Sequence, residues 1–332
     1  MAKIKVAING FGRIGRVFTR IAQGNDNIDI VAINDLTDTK TLAHLYKYDS
    51  VHGVARPAVS HTDHSITIDG KEIRVHAEKS PEKLTWREYG IDVVLESTGH
   101  FLDRESAELH LRAGAKKVIL SAPPKSNDIK TVVLGVNDSI LDGSETLISN
   151  ASCTTNCAAP MIKVLHDKWQ IVDAYINTVH AYTGDQRLHD APHKDLRRAR
   201  AAAHSIIPTT TGAAKAITKI FPDLEGKIGG SGMRVPVLDG SITEITCLLD
   251  RPATIEEINA AFKAAAEGDL KGYLEYTEDP IVSADIVGNG ASCIFDAQLT
   301  SVVGNMVKVL GWYDNEYGYS ARLVDLVERI GR

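Results

Sequence analysis

At 332 residues the chain exceeds the usual reach of one hydrophobic core, and its 43% hydrophobic content is enough for two, which points to two domains and away from disorder. Lys and Arg number 37 against 43 Asp and Glu, a formal net charge of -6 that argues against nucleic acid as the principal partner. There is no basic-then-apolar leader and no apolar run of membrane-spanning length, and four cysteines without framework spacing suit a reducing compartment, so a cytoplasmic protein with no membrane partner is expected.

From the N-terminus, Lys3-Ile4-Lys5-Val6-Ala7-Ile8 alternates as a strand into Asn9-Gly10-Phe11-Gly12-Arg13-Ile14-Gly15, and Ile14, Val17, Phe18 and Ile21 then recur at helical spacing. Strand, glycine turn and helix, with glycines at 10, 12 and 15, make the dinucleotide fingerprint. Its missing side chains let backbone N–H groups approach a pyrophosphate at a helix N-terminus. Alone the pattern is weak. A second apolar strand from Ile28 to Ile33 strengthens it by ending in Asn34-Asp35, twenty residues past Gly15. An acid there binds a ribose 2'-hydroxyl and repels a 2'-phosphate, so the expected cofactor is NAD.

Residues Ile91 to Glu96, a helix from Arg104 to Ala113 and the run Lys117 to Leu120 continue the alternation of a parallel sheet. Ser97-Thr98-Gly99 and Ser121-Ala122-Pro123 follow two of these strands, at the carboxyl edge where such sheets bind ligands.

At mid-chain, Leu147-Ile148-Ser149 reads as a strand end and precedes Ser152-Cys153-Thr154-Thr155-Asn156-Cys157. Ala158, Met161, Ile162 and Leu165 predict a helix from Thr154 to His166 with Ser152 or Cys153 at its cap. Cys153 then stands with its sulfur exposed at the positive end of a helix dipole, which favours the thiolate. Cys157, one turn on, suits packing better than a disulfide with the oxidised nucleophile, and Cys247 and Cys293 lie inside strand-like runs as buried hydrophobes. His180 ends the alternating run Tyr175 to Val179 and is the candidate base, although spacing alone does not put it beside Cys153. Beyond Cys153 the strands lengthen, as in Ser241 to Leu249 and Val302 to Trp312, and a second, largely antiparallel domain is expected after a boundary near Ser149.

Further motifs occur in order: Lys47-Tyr48-Asp49-Ser50, His180-Ala181-Tyr182-Thr183, Thr209-Thr210-Thr211-Gly212-Ala213-Ala214-Lys215, Arg234-Val235-Pro236 and Trp312-Tyr313-Asp314-Asn315-Glu316-Tyr317-Gly318. With them the chain resembles, from end to end, the phosphorylating NAD-dependent glyceraldehyde-3-phosphate dehydrogenases. The resemblance implies an α/β chain: a Rossmann-type dinucleotide-binding domain in residues 1–150, completed by a C-terminal helix at 316–332, and an α+β catalytic domain at 151–315. An S-loop at 183–204 would lie at the core of a homotetramer. By the same resemblance Cys153 attacks the aldehyde of D-glyceraldehyde 3-phosphate and His180 takes the proton. Inorganic phosphate then releases 1,3-bisphosphoglycerate from a thioester. Thr183, Arg198 and Arg234 match phosphate-binding positions, with Arg197 and Arg200 beside Arg198, and Ser152, Thr154, Thr211 and Gly212 match hydroxyl and backbone donors. Gly10, Gly12, Arg13, Ile14, Gly15, Asp35, Lys79, Ser121 and Asn315 match NAD contacts, Asn315 toward the carboxamide. No metal is expected.

Two departures from the family pattern stand out. Ala191 precedes Pro192 where many NAD-dependent relatives carry leucine, which implies looser discrimination against NADP. Gly230-Ser231-Gly232-Met233 replaces the commoner run before Arg234, which implies altered flexibility in a loop near the phosphate site. The alternatives are a thioester-hydrolysing erythrose-4-phosphate dehydrogenase and an NAD- or RNA-binding protein without catalysis. Intact Cys153, His180 and Arg234 argue against the latter.

Overall fold

The computed structural model describes residues 2–331. They fold as two compact units: one takes the chain through Val132, Ser139–Ala151 and the segment from Ser320 onward, the other Val133–Asp138 and Ser152–Tyr319.

The first unit is built on a nine-stranded sheet. Seven neighbouring strands are parallel: Lys130–Thr131, Leu147–Ser149, Lys117–Leu120, Val93–Glu96, Ile4–Asn9, Ile28–Asn34 and Lys71–His76. Ser65–Ile68 and Val59–His61 extend the edge antiparallel. Parallel strands covered on both faces need near-continuous apolar sequence, and Val6, Ala7, Ile8, Val93, Val94, Leu95, Val118, Ile119 and Leu120 are all fully buried. Ile4–Asn9 lies between Val93–Glu96 and Ile28–Asn34, so the strand order reverses there and a ligand crevice opens at its carboxyl end. The C-terminal helix, Tyr317–Ile330, is tied back where Lys117 Nζ donates to the Ile330 carbonyl at 2.7 Å.

The expected helix from Arg104 to Ala113 divides at Glu108 into Arg104–Ala107 and Leu109–Arg112. Glu108 keeps right-handed dihedrals, φ -65 and ψ -13, and Glu108 N and Arg112 N still donate four residues back, so the division is no change of direction.

In the second unit an eight-stranded sheet makes five antiparallel pairings and two parallel ones. Ser241–Leu249 is a strand as expected. The run Val302 to Trp312 is instead a hairpin, Ser301–Val303 and Met306–Tyr313, turning through Gly304 at φ 61 and Asn305. Gly304-Asn305 is a two-residue turn signal set between the apolar pairs Val302-Val303 and Met306-Val307. Gly230 to Met233 also departs from expectation, because it lies inside the strand Ile228–Val235 and not in a loop. A Cβ on Gly230 would come 3.1 Å from Ala214 Cβ and one on Gly232 3.1 Å from Thr178 Cγ2, so these glycines serve close packing.

The helix Cys153–Trp169 packs on this sheet, burying Cys157, Ala158, Met161, Ile162 and Leu165 completely. It begins one residue earlier and ends three later than its apolar spacing predicts. Gly311 permits the approach: a Cβ there would lie 2.5 Å from Cys293 Sγ and 2.9 Å from Met161 Sδ. Cys157, Cys247 and Cys293 are buried free thiols, which fits their packing role.

Candidate active site

At the carboxyl end of Ile4–Asn9 a cavity of about 470 Å³ is lined by Asn9, Gly10, Gly12, Asn34, Asp35, Glu78, Lys79, Ser97 and Thr98 among others. Its residues fit a dinucleotide. A Cβ on Gly10 would lie 2.8 Å from the backbone of Ser97 and Thr98, and one on Gly15 2.5 Å from the Gly10 carbonyl, whereas Gly12 opens to free space as N-cap of the helix Arg13–Ala22. No side chain caps that helix, which leaves its first N–H groups for an anion. Asp35 accepts from Phe11 N at 2.8 Å and Thr37 N at 2.9 Å, fixing its carboxylate at the pocket wall. Ile14 is the second residue of that helix, and Ser121, just past Lys117–Leu120, donates its N–H to the Glu96 carbonyl.

Beneath the cavity lies a buried polar cluster that sequence patterns did not reveal. Trp86 Nε1 donates to His110 Nδ1 at 3.0 Å, which leaves the imidazole proton on Nε2 to donate to Glu96 Oε2 at 3.0 Å. Asn9 Nδ2 donates to the same oxygen at 2.5 Å, and Thr98 N to Glu96 Oε1 at 2.9 Å. Glu96 and His110 are fully buried, so this network holds the strand ends that carry the pocket. Replacing Gly15 with alanine is expected to push the turn off its N–H geometry and weaken NAD about tenfold or more, an energy of about 1.4 kcal/mol. Calorimetric titration of NAD checks this.

Arg13 pairs with Asp49 at 2.6 Å. Burial pushes the Asp49 carboxyl up, but the His52 N–H, the Arg13 guanidinium and the Val51 N–H outweigh it and bring the pKa down to about 2. A depressed folded-state pKa gives stability that is present above the unfolded value and lost as pH falls through the folded one. Asp49→Asn should therefore cost about 2 kcal/mol at neutral pH, a gap that narrows below about pH 4. Urea unfolding across that range measures it.

In the second unit the helix Cys153–Trp169 starts directly after Ala151, whose φ of 56 is unusual for a residue with a Cβ. Ser152 is the N-cap, its Oγ accepting from Thr155 N at 3.1 Å. Cys153 is thus the first helical residue, as the dipole reading requires, but its environment differs from expectation. The residue is half-buried, not exposed, and burial pushes the thiol pKa up, against the Arg234 charge and the Thr154 and Cys153 N–H groups.

His180 lies in the strand Ile171–Ala181, and its Nε2 is 3.4 Å from Cys153 Sγ. Spacing could not place the two together; helix-on-sheet packing does. Parallel register pairs His180 with Arg234 of the neighbouring strand, so Arg234 Nη1 stands 2.6 Å from His180 Nδ1. Nδ1 thus faces two partners, the Arg234 donor and the Ala181 carbonyl at 2.7 Å, while Nε2 is the ring nitrogen turned to the sulfur. Burial and then the Arg234 cation hold the imidazole pKa down at about 3. Both shifts favour a thiol beside a neutral imidazole over a thiolate–imidazolium pair.

Tyr313, buried at the same place, was missed as a site residue. Its hydroxyl is hydrogen-bonded to Thr154 Oγ1 at 2.9 Å and Thr178 Oγ1 at 2.8 Å, and its ring stands edge-on to His180 at 5.9 Å. It lies within the quoted motif at 312–318, but only strand register brings it to the helix start. The Ser152 and Thr154 hydroxyls therefore both have internal partners.

Arg198 Nε donates to Thr209 Oγ1 at 2.9 Å and its Nη1 pairs with Asp185 at 2.5 Å, whereas Arg197 is exposed and Arg200 pairs with Asp190. Of the three arginines Arg198 is the one held inward, with Thr183 hydrogen-bonded to the same Asp185. Gly212 precedes the helix Ala213–Ile220 as its N-cap with open space at its Cα, and Thr211 Oγ1 accepts from Ala213 N at 3.2 Å. Asn315 Oδ1 accepts from Ser241 Oγ at 2.6 Å, which leaves Nδ2 as a donor.

Residues 4–104 match the family described as glyceraldehyde 3-phosphate dehydrogenase, NAD binding domain, and residues 152–315 the corresponding C-terminal domain. A glyceraldehyde-3-phosphate dehydrogenase of Geobacillus stearothermophilus is 57% identical over 329 residues, 98% of each chain. One of Thermotoga maritima is 59% identical over 327 residues, again 98% of each. The chain belongs to the glyceraldehyde-3-phosphate dehydrogenase family. As a member of the glyceraldehyde-3-phosphate dehydrogenases it is an NAD-dependent oxidoreductase with a Rossmann-type domain and an α+β domain. Among its described residues no helix is long and apolar enough to cross a membrane.

Proposed function

We propose that the chain oxidises D-glyceraldehyde 3-phosphate and phosphorylates the product to 1,3-bisphosphoglycerate, through a thiohemiacetal and then a thioester on Cys153. The observation that carries the reading is the 3.4 Å contact between Cys153 Sγ and Nε2 of His180. His180 takes the thiol proton as sulfur adds to the aldehyde carbon and returns it to the alkoxide so formed, which gives the thiohemiacetal hydroxyl and restores the neutral imidazole that burial and Arg234 favour. NAD, when bound, supplies the acceptor for the hydride that leaves the hemiacetal carbon. His180 accepts the hemiacetal hydroxyl proton as the carbonyl re-forms, which leaves a thioester. An oxygen of inorganic phosphate adds to that carbonyl and the Cys153 sulfur leaves, conserving as acyl phosphate what hydrolysis would lose.

Arg198, Arg234 and Thr183 are the side chains for the two phosphates, because guanidinium forks suit phosphate oxygens. Gly212, Thr211, Ser152 and Thr154 add backbone and hydroxyl donors. Gly10, Gly12, Arg13, Ile14, Gly15, Asp35, Lys79 and Ser121 hold the dinucleotide, and Asn315 offers Nδ2 to a carboxamide. Residues 1–150 with 316–332 serve as the NAD-binding domain and 151–315 as the catalytic one. A cytoplasmic homotetramer assembled through the S-loop at 183–204 belongs to the same reading, supported by Leu188 and Leu196, each 81% exposed in the single chain.

Following NADH formation from D-glyceraldehyde 3-phosphate with and without inorganic phosphate tests the reaction. Sustained turnover only with phosphate is expected. Turnover indifferent to phosphate, with erythrose 4-phosphate preferred, would assign the hydrolysing relative instead.

A further inference from the structure

Thr183 and Arg198, two of the groups assigned above to phosphate, are both committed to one carboxylate. The Thr183 hydroxyl donates to Asp185 Oδ1, and Arg198 Nη1 pairs with Asp185 Oδ2 at 2.5 Å. Arg198 is oriented independently of that pair by Thr209, which accepts from its Nε at 2.9 Å. Asp195, 3.8 Å from Nε, is the other acid near this guanidinium. Asp185 also acts electrostatically on Arg234 and His180, so its charge is felt at both groups.

We propose that Asp185 is an internal placeholder for phosphate: its carboxylate occupies the Thr183 and Arg198 donors until a phosphate dianion displaces it, and so sets a deliberately weak phosphate affinity. The chemistry is an exchange of acceptors, two oxygens of a monoanion for two of a dianion, with no covalent change. Weak holding matters to an enzyme that must release an acyl phosphate, because ground-state binding shared by product and transition state does not raise turnover. The placeholder role rests on the phosphate assignment of Arg198. A purely structural role, in which Asp185 aligns Arg198, predicts the opposite sign on removal, since Thr209 alone would then hold a looser guanidinium.

The test is calorimetric titration of inorganic phosphate into the NAD-loaded enzyme, for the natural chain, Asp185→Asn, Asp185→Ser and Arg198→Ala, each first checked by thermal melting. Asp185→Asn and Asp185→Ser are expected to bind phosphate about fivefold more tightly, the scale of one part-exposed ion pair. Arg198→Ala should lose most phosphate binding. If phosphate binding depends on Arg198 yet both Asp185 variants bind phosphate equally or more weakly, the placeholder is overturned and the phosphate assignment stands. If Arg198→Ala binds phosphate as well as the natural chain, the assignment itself falls, and the placeholder with it.

Discussion

Replacing Cys153 with serine is expected to abolish sustained NADH formation, lowering kcat by roughly 10⁴ or more, since loss of a nucleophile removes the covalent route altogether. Serine keeps the small polar side chain at the first turn of Cys153–Trp169, and the Ser152 cap is untouched, so the fold should persist. A hydroxyl is a far weaker acid than a thiol, and one neutral imidazole at 3.4 Å does not make up the difference. NAD titration of the variant should match that of the natural chain, because the dinucleotide cavity is lined by residues of the other unit. Retained turnover would remove Cys153 from the mechanism. Loss of NAD binding along with turnover would instead mean that the substitution had damaged the fold.

His180→Asn is expected to cost roughly 10²- to 10⁴-fold in kcat, the usual worth of a positioned general base. Asparagine can still donate to the Ala181 carbonyl but has no titratable nitrogen for the thiol. The pH dependence gives a second reading of the same group. Its working form is the neutral one, present above a pKa of about 3 and lost as pH falls through it. In the natural chain the His180 base therefore stays available well below the ordinary histidine range. Arg234→Ala removes one of the three causes that depress the imidazole, while burial and the Arg198 charge remain, so the acidic limb should move up toward the ordinary value near 6.5. Profiles of kcat/KM against pH for both proteins decide this, and an unchanged limb would separate Arg234 from the base.

Much of the dinucleotide unit was legible because its rules are local. A glycine turn reads directly as Gly10, Gly12 and Gly15, and parallel strands buried on both faces read as short apolar runs such as Val93-Val94-Leu95. The helix at Cys153 was legible from its cap and its apolar spacing. What stayed hidden depends on contacts distant in sequence. The proximity of His180 to Cys153 comes from packing a helix on a sheet, and that of Arg234 to His180 from parallel register. The Cys153 environment was misjudged because a helix terminus was weighed without the burial around it. Asp185 escaped notice since a carboxylate beside phosphate ligands looks unfavourable until its bonds to Thr183 and Arg198 are seen. The hairpin at Gly304 was missed for a simpler reason: its turn is only two residues long and lies between apolar pairs, so the segment reads through as one strand.

Passage of an acyl group from Cys153 to phosphate is tested most directly by mass spectrometry of the protein after a single round of oxidation. With NAD and D-glyceraldehyde 3-phosphate but no inorganic phosphate, the peptide containing Cys153 is expected to carry a phosphoglyceryl thioester. Adding phosphate should discharge it as NADH formation resumes. An adduct on another residue, or none while NADH is formed, would contradict the account.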